Sequence, residues 1–236
     1  MNIAIILAAG SGTRMGNASV PKQFLMIYNK PIVVHTIEQF EMHFDIDEIV
    51  VVTKKDYIDE IKVWIRQFDL SKVHHVVEGG DTRQASVYNG LLAIAPFAKD
   101  DDIVLIHDSA RPLVNGRIIS DNIEGALRYG AVDTVIPSAD TIIHSQDGEK
   151  IDDVPLRKEL FLGQTPQSFR YEKIMKAHQE AIKNHIENAS DDAQLIRKSQ
   201  GEVYLVNGDR LNFKITTFDD LMMLKALLKI GKTEVQ

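Results

Sequence analysis

Asn2-Ile-Ala-Ile-Ile-Leu-Ala-Ala-Gly-Ser-Gly-Thr-Arg-Met-Gly16 is an apolar run that ends in small residues and glycines. Its core, Ile3–Leu7, lacks strict apolar–polar alternation, as expected for a strand buried on both faces of a sheet. Similar runs, separated by stretches with apolar residues at helical spacing, lie at Glu48–Thr53, Val73–Val77, Ile103–Ile106 and Val132–Pro137. This alternation predicts an α/β fold with a mostly parallel sheet and helices on its faces.

The composition narrows the classes of protein to consider. The chain has 236 residues and a net charge of −7 with neutral histidines, which predicts one domain over 1–236 and no nucleic-acid partner. Because it has no cysteine, disulfides, zinc–thiolate sites, iron–sulfur clusters and cysteine nucleophiles are excluded. The N-terminus does not resemble a signal peptide, and no window approaches the ~20 apolar residues of a membrane helix. We therefore expect a cytoplasmic protein with no membrane partner.

The pattern changes between Asp140 and Gly163, where the sequence is polar and is broken by Gly148 and Pro155. Long loops are uncommon unless they are functional or disordered, which favours a hairpin arm inserted in the domain at about 140–163 over a plain surface loop. The pattern then returns to regular elements, predicted as helices over Tyr171–Lys183 and about Asp191–Ser199, a strand over Val203–Val206, and a last helix that opens with Thr217 and Asp220 as an approximate capping box.

The glycine-rich turn after the first strand is the strongest chemical signal. Small residues such as Gly10 and Gly12 let backbone N–H groups approach an anion, as in loops that cradle phosphates. Met15 stands where a dinucleotide fingerprint needs glycine, and no Lys-Ser or Lys-Thr pair completes a Walker A loop. What remains is a turn that contains one cation, Arg14, followed eight residues later by a second, Lys22. Together they would neutralise a triphosphate. The alternative is an ordinary strand-to-helix turn with solvated basic residues.

Two further loops follow strands of the predicted sheet. Gly79-Gly80-Asp81-Thr82-Arg83 comes after the third strand, with Ser86 one turn further on. Ligands bind beyond the carboxyl ends of the strands in open parallel sheets, so this loop is expected beside the first. The alternative for Asp81 is that it caps the following helix.

His107-Asp108-Ser109-Ala110-Arg111-Pro112 follows the fourth strand. Asp108 is placed to hold Mg²⁺, and Arg111 offers a fork for a second phosphate group. The alternative is a surface Asp–Arg pair. A hydrolase triad is rejected, because strand neighbours point in different directions and no Gly-x-Ser-x-Gly elbow is present.

The assembled site has several cations, one strand-end carboxylate and no credible nucleophile. This combination favours phosphoryl or nucleotidyl transfer, which depends on positioning and charge neutralisation. A phosphate acceptor is largely dianionic at pH 7, so it would need no general base.

At these residues the sequence resembles the cytidylyltransferase family that includes 2-C-methyl-D-erythritol 4-phosphate cytidylyltransferase and ribitol-5-phosphate cytidylyltransferase. The resemblance covers nearly the whole chain and is carried by Leu7–Gly16, Pro21–Gln23, Gly79–Asp81, Ser86–Gly90, His107–Pro112, Asp140–Thr141, Gln164–Gln167 and Asn212–Lys214. It implies a Rossmann-like domain of the nucleotide-diphospho-sugar transferase type, and a projecting arm that builds a homodimer.

The resemblance also implies CTP and Mg²⁺, and it assigns roles by motif position. The catalytic cations on the phosphates would be Arg14, Lys22 and Lys214. The nucleotide would be held by Ala8, Ala9, Gly10, Gly12, Gly80, Asp81 and Ser86. Asp108 would serve the metal. The polyol phosphate would be received by Arg111, Thr141 and Arg157, some of them across the dimer.

The acceptor is the open question. Gln84–Leu91, His107–Val114 and Asp191–Ala193 look like the methylerythritol enzyme, whereas Ala131–Thr141 and Pro155–Phe169 look closer to the ribitol enzyme. We expect methylerythritol phosphate to be the acceptor, because the loops nearest the expected nucleotide and metal favour it. Ribitol 5-phosphate is the alternative acceptor. A third hypothesis is a nucleotide-binding module without catalysis. It is disfavoured because such a module should have lost some of the site's charged residues, and all of them are present.

Overall fold

The computed structural model describes residues 1–10, 20–187 and 189–234. The described residues form nine strands: β1 (Asn2–Ala8), β2 (Met26–Ile27), β3 (Lys30–Pro31), β4 (Glu48–Thr53), β5 (Val73–Glu78), β6 (Ile103–Asp108), β7 (Ala131–Pro137), β8 (Phe161–Arg170) and β9 (Tyr204–Asn207). They also form seven α-helices: α1 (Ile32–Glu41), α2 (Ile58–Gln67), α3 (Arg83–Ile94), α4 (Gly116–Tyr129), α5 (Tyr171–Lys183), α6 (Asp192–Lys198) and α7 (Phe218–Glu234).

Seven of the strands form one sheet in the order β5-β4-β1-β6-β8-β7-β9. The strands from β5 to β6 pair in parallel, β8 runs antiparallel to both of its neighbours, and β9 is parallel to β7. The predicted α/β architecture with a mostly parallel sheet is therefore confirmed. The register sets Leu7 opposite both Val52 and Asp108, so that β1, β4 and β6 end at one edge.

Apolar clusters lie on both faces of the sheet, which explains why the strands read as continuous apolar runs. Ile3 and Ile5 pack in the cluster that contains α3, α5 and α6, whereas Ala4 and Ile6 pack in the cluster that contains α1, α2 and α4. Successive side chains of a strand point to opposite faces, so a strand covered on both sides needs apolar residues at every position.

The last helix begins as predicted. The Asp220 N–H donates to Thr217 Oγ1 at 3.2 Å, and the Thr217 N–H donates to Asp220 Oδ2 at 2.7 Å, which completes the capping box. α7 then packs Leu221 and Leu224 in a small cluster with Ile215 and Ala110, beside the end of β6. None of the helices in the described ranges combines the length and the apolar character that a membrane crossing requires.

Strand β8 was not predicted from the sequence. It lies between β6 and β7 near the middle of the sheet, although it carries Pro166 and several polar side chains. Those side chains are buried because each has a partner. Gln164 donates to the Asp209 carbonyl, Thr165 lies beside His107, and Ser168 donates to Asn122.

The segment between β7 and β8 is largely exposed. His144 and Asp153 form a single antiparallel bridge within it, and its apolar side chains Ile143 and Leu156 are 54 % and 62 % exposed. The excursion predicted over 140–163 ends earlier than expected, because β8 already begins at Phe161. Its role as a dimerisation arm stays a prediction.

Candidate active site

A cleft of about 670 Å³ opens at the edge of the sheet where β1, β4, β5 and β6 end. We call it the strand-end cleft. Its walls come from the segments that follow these four strands, together with Lys22 and Lys214 from distant parts of the chain. This is the location expected for a ligand in an open α/β sheet.

The segment after β1 is tied down by a side chain from the Lys22–Phe24 turn. The buried Gln23 amide donates to the Ala8 carbonyl at 2.6 Å and to the Gly10 carbonyl at 2.9 Å. Ala9 and Gly10 line the cleft, while Ala8 is buried beneath it. The predicted residues Gly12 and Arg14 lie outside the described residues.

Lys22 reaches the cleft from the same turn. Its Nζ donates to the Ile215 carbonyl at 2.6 Å, next to Lys214 in the chain. The two predicted lysines thus line one cleft although they are 192 positions apart in the sequence.

The glycine pair after β5 permits a close approach of three segments. A Cβ at Gly79 would lie 2.5 Å from the Ala9 Cβ and 2.8 Å from the Ser86 Oγ, and a Cβ at Gly80 would collide with Ala85. The Gly80 N–H instead donates to the Ser86 Oγ at 3.1 Å. Side-chain-free backbone therefore forms this wall of the cleft.

Thr82, and not Asp81, caps helix α3. The Thr82 Oγ1 accepts from the Ala85 N–H at 3.0 Å. The capping alternative for Asp81 is therefore wrong. Asp81 is exposed and lines the cleft.

Asp108, at the end of β6, lies between two cations. Its Oδ2 accepts from Lys214 Nζ at 2.7 Å, and its Oδ1 lies 3.8 Å from Arg83 Nε. Burial opposes ionisation of this carboxyl, but Lys214 and Arg83 outweigh it and hold its pKa well below the usual range. Asp108 is therefore an anion whenever the cleft is exposed to neutral solution.

Arg83 has a second, buried partner. Its Nη1 donates to Asp192 Oδ2 at 2.6 Å, and Asp192 Oδ1 lies 3.0 Å from the buried His178 Nε2. Burial lowers the pKa of Arg83, but the Asp192 and Asp108 carboxylates outweigh it and raise that pKa above its ordinary value. Arg83 thus keeps a fixed positive charge at the cleft wall.

The fit of a magnesium ion depends on Asp108. Within the described ranges, no three acidic or histidine side chains are grouped closely enough to hold a metal by themselves. Mg²⁺ in nucleotide sites is commonly bound by one or two carboxylates together with substrate phosphates. Asp108 therefore fits an ion that arrives with a triphosphate, and does not fit a permanent all-protein site.

Arg111 and His107 lie behind the cleft. Arg111 is 9 % exposed, and its Nη1 donates to the Asn212 carbonyl at 2.7 Å. His107 is fully buried between the Arg111 carbonyl and Thr165, and burial lowers its pKa to about 4. The structure thus places Arg111 where it braces the segment before Lys214; its assignment to the acceptor stays a prediction.

Thr141 and Arg157 lie in the exposed segment between β7 and β8. Arg157 Nη1 is 3.4 Å from the Ala139 carbonyl. Neither residue lines the strand-end cleft of its own chain. Their assignment to the acceptor stays a prediction.

Three cations of the cleft were not singled out from the sequence. Lys54 and Lys55 follow β4 directly, and Arg83 opens α3. The rule that ligands bind beyond strand ends would have found the two lysines, since they come straight after an apolar run. Arg83 gave no separate signal, because its partner Asp192 is 109 positions away.

The charges of the cleft suit a polyanion. Five described lining residues are basic, namely Lys22, Lys54, Lys55, Arg83 and Lys214, against the three acidic residues Glu78, Asp81 and Asp108. Basic side chains and exposed backbone N–H groups are the usual ligands of nucleotide phosphates. The arrangement favours binding and polarising a triphosphate over forming a covalent intermediate with the protein.

Comparison with known proteins agrees with this chemistry. A family model described as 2-C-methyl-D-erythritol 4-phosphate cytidylyltransferase matches residues 2–230. Ribitol-5-phosphate cytidylyltransferase of Vibrio parahaemolyticus is 40 % identical over 97 % of this chain and 96 % of that protein. The protein of the same name from Streptococcus agalactiae is 40 % identical over 99 % and 98 %.

Solved structures share the fold. The 4-diphosphocytidyl-2C-methyl-D-erythritol synthase of Anaerococcus prevotii superposes with a TM-score of 0.83 at 30 % identity, over 97 % of this chain and 96 % of that one. The 2-C-methyl-D-erythritol 4-phosphate cytidylyltransferase of Thermus thermophilus gives 0.76 at 32 % identity, over 97 % and 100 %.

Proposed function

Because this chain belongs to the 2-C-methyl-D-erythritol 4-phosphate cytidylyltransferase family, we propose that it transfers CMP from CTP to D-ribitol 5-phosphate. The products are CDP-ribitol and pyrophosphate. The chain is a nucleotidyltransferase, and its strand-end cleft is the place for the nucleotide.

The acceptor assignment rests on one observation. Two relatives that are 40 % identical over almost the full length of both chains carry the name ribitol-5-phosphate cytidylyltransferase. The solved structures named for the methylerythritol reaction are 30 % and 32 % identical. The order expected from the sequence, with methylerythritol phosphate ahead, is therefore reversed, and that acceptor becomes the second candidate.

We assign the nucleotide to the strand-end cleft because of the residues that line it. Ala9 and Gly80 present small residues to the cleft, and the Ser86 hydroxyl holds the Gly80 N–H in place, which leaves room for a pyrimidine and a ribose. Lys22 and Lys214 also line the cleft, and Lys214 bonds Asp108 at the end of β6; both are assigned to the triphosphate, which they neutralise. Arg14, from the glycine-rich turn, is assigned to the same phosphates by its motif.

The reaction then needs charge neutralisation and alignment. An oxygen of the acceptor phosphate attacks the α-phosphorus of CTP, a new P–O–P linkage forms, and the bond between the α-phosphorus and its bridging oxygen to the β-phosphate breaks. The electron pair leaves with pyrophosphate. Because the acceptor phosphate is largely dianionic at pH 7, no protein base has to remove a proton. Lys22 and Lys214 stabilise the added negative charge on the α-phosphoryl oxygens.

Asp108 is the residue that would hold a magnesium ion brought in by the triphosphate. When bound with the triphosphate and held by Asp108, it would neutralise phosphate charge and favour departure of pyrophosphate. Lys214, which bonds Asp108 at 2.7 Å and lines the cleft, is assigned to the same phosphates.

We assign the acceptor to a site completed by a second copy of the chain. The exposed segment between β7 and β8 carries Thr141 and Arg157 away from its own cleft and presents apolar side chains such as Ile143 and Leu156 to solvent. A homodimer built through this segment would bury those side chains and bring both polar residues to the partner's cleft. Sedimentation should then show a species of twice 26.5 kDa.

A competition experiment tests the acceptor. The purified protein receives CTP, Mg²⁺ and equal concentrations of D-ribitol 5-phosphate and 2-C-methyl-D-erythritol 4-phosphate, and both products are quantified by mass spectrometry. The product ratio equals the ratio of the two kcat/KM values, which we expect to favour CDP-ribitol by at least about 100-fold. A majority of the methylerythritol product would reassign the acceptor, with the cytidylyl transfer itself unchanged.

A further inference from the structure

We propose that Arg83 is a positioning residue that holds the Asp108 carboxylate in place by linking it to the buried Asp192–His178 pair. The inference rests on the proposed function, because it concerns the same cleft. It adds to the family assignment a residue outside the set that the motifs named.

The anchor side of this link is rigid. Asp192 and His178 are each 1 % exposed, and their side chains bond each other at 3.0 Å. The Asp192 backbone N–H also donates to Gln167 Oε1 at 3.0 Å, which ties the start of α6 to β8. Arg83 therefore binds a carboxylate that two other elements of the fold keep fixed.

At its other end, Arg83 faces Asp108 in the strand-end cleft. Arg83 Nε lies 3.8 Å from Asp108 Oδ1, while Lys214 Nζ bonds the other oxygen, Oδ2, at 2.7 Å. The two cations thus approach different oxygens of one carboxylate. When phosphates enter and compete for Lys214, Arg83 remains as the counter-ion that fixes the direction of Asp108.

The chemistry of arginine fits this role and that of lysine does not. A guanidinium presents separate N–H groups along two edges of a rigid plane, so it faces Asp192 and Asp108 together. The ammonium of lysine is a single compact point and reaches only one of two carboxylates at such separations.

The position of Arg83 in its helix points the same way. It is the first residue of α3, which has no acidic residue in its first turn. A positive charge at a helix N-terminus is unfavourable toward the helix dipole. The charge of Arg83 therefore does not stabilise α3, and its favourable contacts are those with Asp108 and Asp192.

A double-mutant cycle tests the inference. Arg83→Lys keeps the charge but loses the fork, and Asp192→Asn weakens the anchor. We expect each to lower kcat with ribitol 5-phosphate roughly 10–100-fold by displacing Asp108, with the KM for CTP changed by less than about threefold. In an Asp108→Asn background, Arg83→Lys should change kcat by no more than about twofold, because its effect acts through Asp108.

A matched control separates positioning from folding. Arg117→Lys alters another arginine that bonds a carboxylate at 2.7 Å, outside the cleft, and should retain the wild-type kcat. Equal losses from Arg83→Lys in the wild-type and Asp108→Asn backgrounds would overturn the inference. If Arg83→Lys fails to fold, Asp192→Asn carries the same cycle.

A readout without substrate keeps the two proposals apart. In nucleotide-free crystals of a Lys214→Met background, where the other cation on Asp108 is absent, Arg83→Lys should move the Asp108 carboxylate by more than about 0.5 Å, the tolerance of a preorganised site. An unmoved Asp108 would contradict the positioning role whichever acceptor the wild-type enzyme uses. Failure of the wild-type enzyme to use ribitol 5-phosphate would contradict only the proposed function.

Discussion

At the residue scale, the site could be located from the sequence but not completed. Gly80 and Asp108 were expected at this edge because segments that follow buried parallel strands meet there, and both line the cleft. Ser86 was assigned by the resemblance alone. Arg83 was missed because its meaning depends on Asp192, a contact that no local pattern encodes. The contact of the buried Arg111 guanidinium with the Asn212 carbonyl was likewise not predictable, because the two residues are 101 positions apart.

The charge of Lys22 is expected to act on the transition state. Lys22→Ala should lower kcat by about 10²–10³-fold with either acceptor, the usual effect of removing one group that stabilises developing charge. Steady-state pyrophosphate release measures this effect. Lys62→Ala removes a lysine that is 51 % exposed and outside the cleft, and should leave kcat unchanged. A near-normal rate for Lys22→Ala would place the triphosphate elsewhere.

Asp133 links stability to pH. Its pKa is raised to about 6, chiefly by burial and by the nearby Asp191, although Gln167 donates to it. Between pH 6 and pH 4 the native carboxyl binds a proton that the unfolded chain does not, so this group's contribution to stability grows as pH falls and is lost as pH rises through 6.

The variant Asp133→Asn isolates this titration. Its free energy of unfolding should exceed that of the wild type most at pH 7, and the excess should shrink by about 1–2 kcal/mol between pH 7 and pH 5. Urea unfolding at the two pH values measures the difference. An excess that does not vary with pH would show that Asp133 is not the titrating group.

At the element scale, the parallel half of the sheet was predictable and β8 was not. Strands covered on both faces, such as β1 and β4, can be recognised in the sequence as apolar runs. Strand β8 is buried with polar side chains that are satisfied one by one, so its hydrophobic pattern is absent and its proline argues against a central strand. Only the tertiary partners of Gln164, Thr165 and Ser168 explain why this sequence lies inside the sheet.

Asn122 is the buried partner that connects β8 to α4 and β7. It accepts from Ser168 Oγ at 2.9 Å and donates to Thr134 Oγ1 at 2.8 Å. Asn122→Ala should reduce the free energy of unfolding by about 2–4 kcal/mol, because buried hydroxyls lose their partner. Urea unfolding measures this change, with Asn207→Ala, an exposed asparagine on β9, as the control. A loss below that of the control would show that water replaces the amide.

At the scale of the whole molecule, one cleft is formed by residues drawn from most of the chain. Segments after β1, β4, β5 and β6 line it, and Lys214 is delivered from near the C-terminus. The sequence predicted this convergence through the topology of a parallel sheet. It assigned the acceptor side to the segment between β7 and β8, where we propose that a second copy of the chain completes the site.

Arg157 tests that division between nucleotide and acceptor. Arg157→Ala should raise the KM for ribitol 5-phosphate roughly 10–100-fold, the effect of losing a charged hydrogen bond, while the KM for CTP stays at the wild-type value. Lys158→Ala, which removes an exposed neighbouring cation on the same short 3-10 helix, is the matched control. A selective rise in the KM for CTP would show that the segment serves the nucleotide instead.

Pyrophosphate release by the wild-type protein tests the proposed cytidylyl transfer when it is measured with CTP, Mg²⁺ and D-ribitol 5-phosphate and in parallel reactions that each lack one component. We expect multiple turnovers that require all three, with one pyrophosphate formed for each CDP-ribitol. Binding of CTP without release of pyrophosphate under any acceptor would contradict it, and would leave a nucleotide-binding module on this fold.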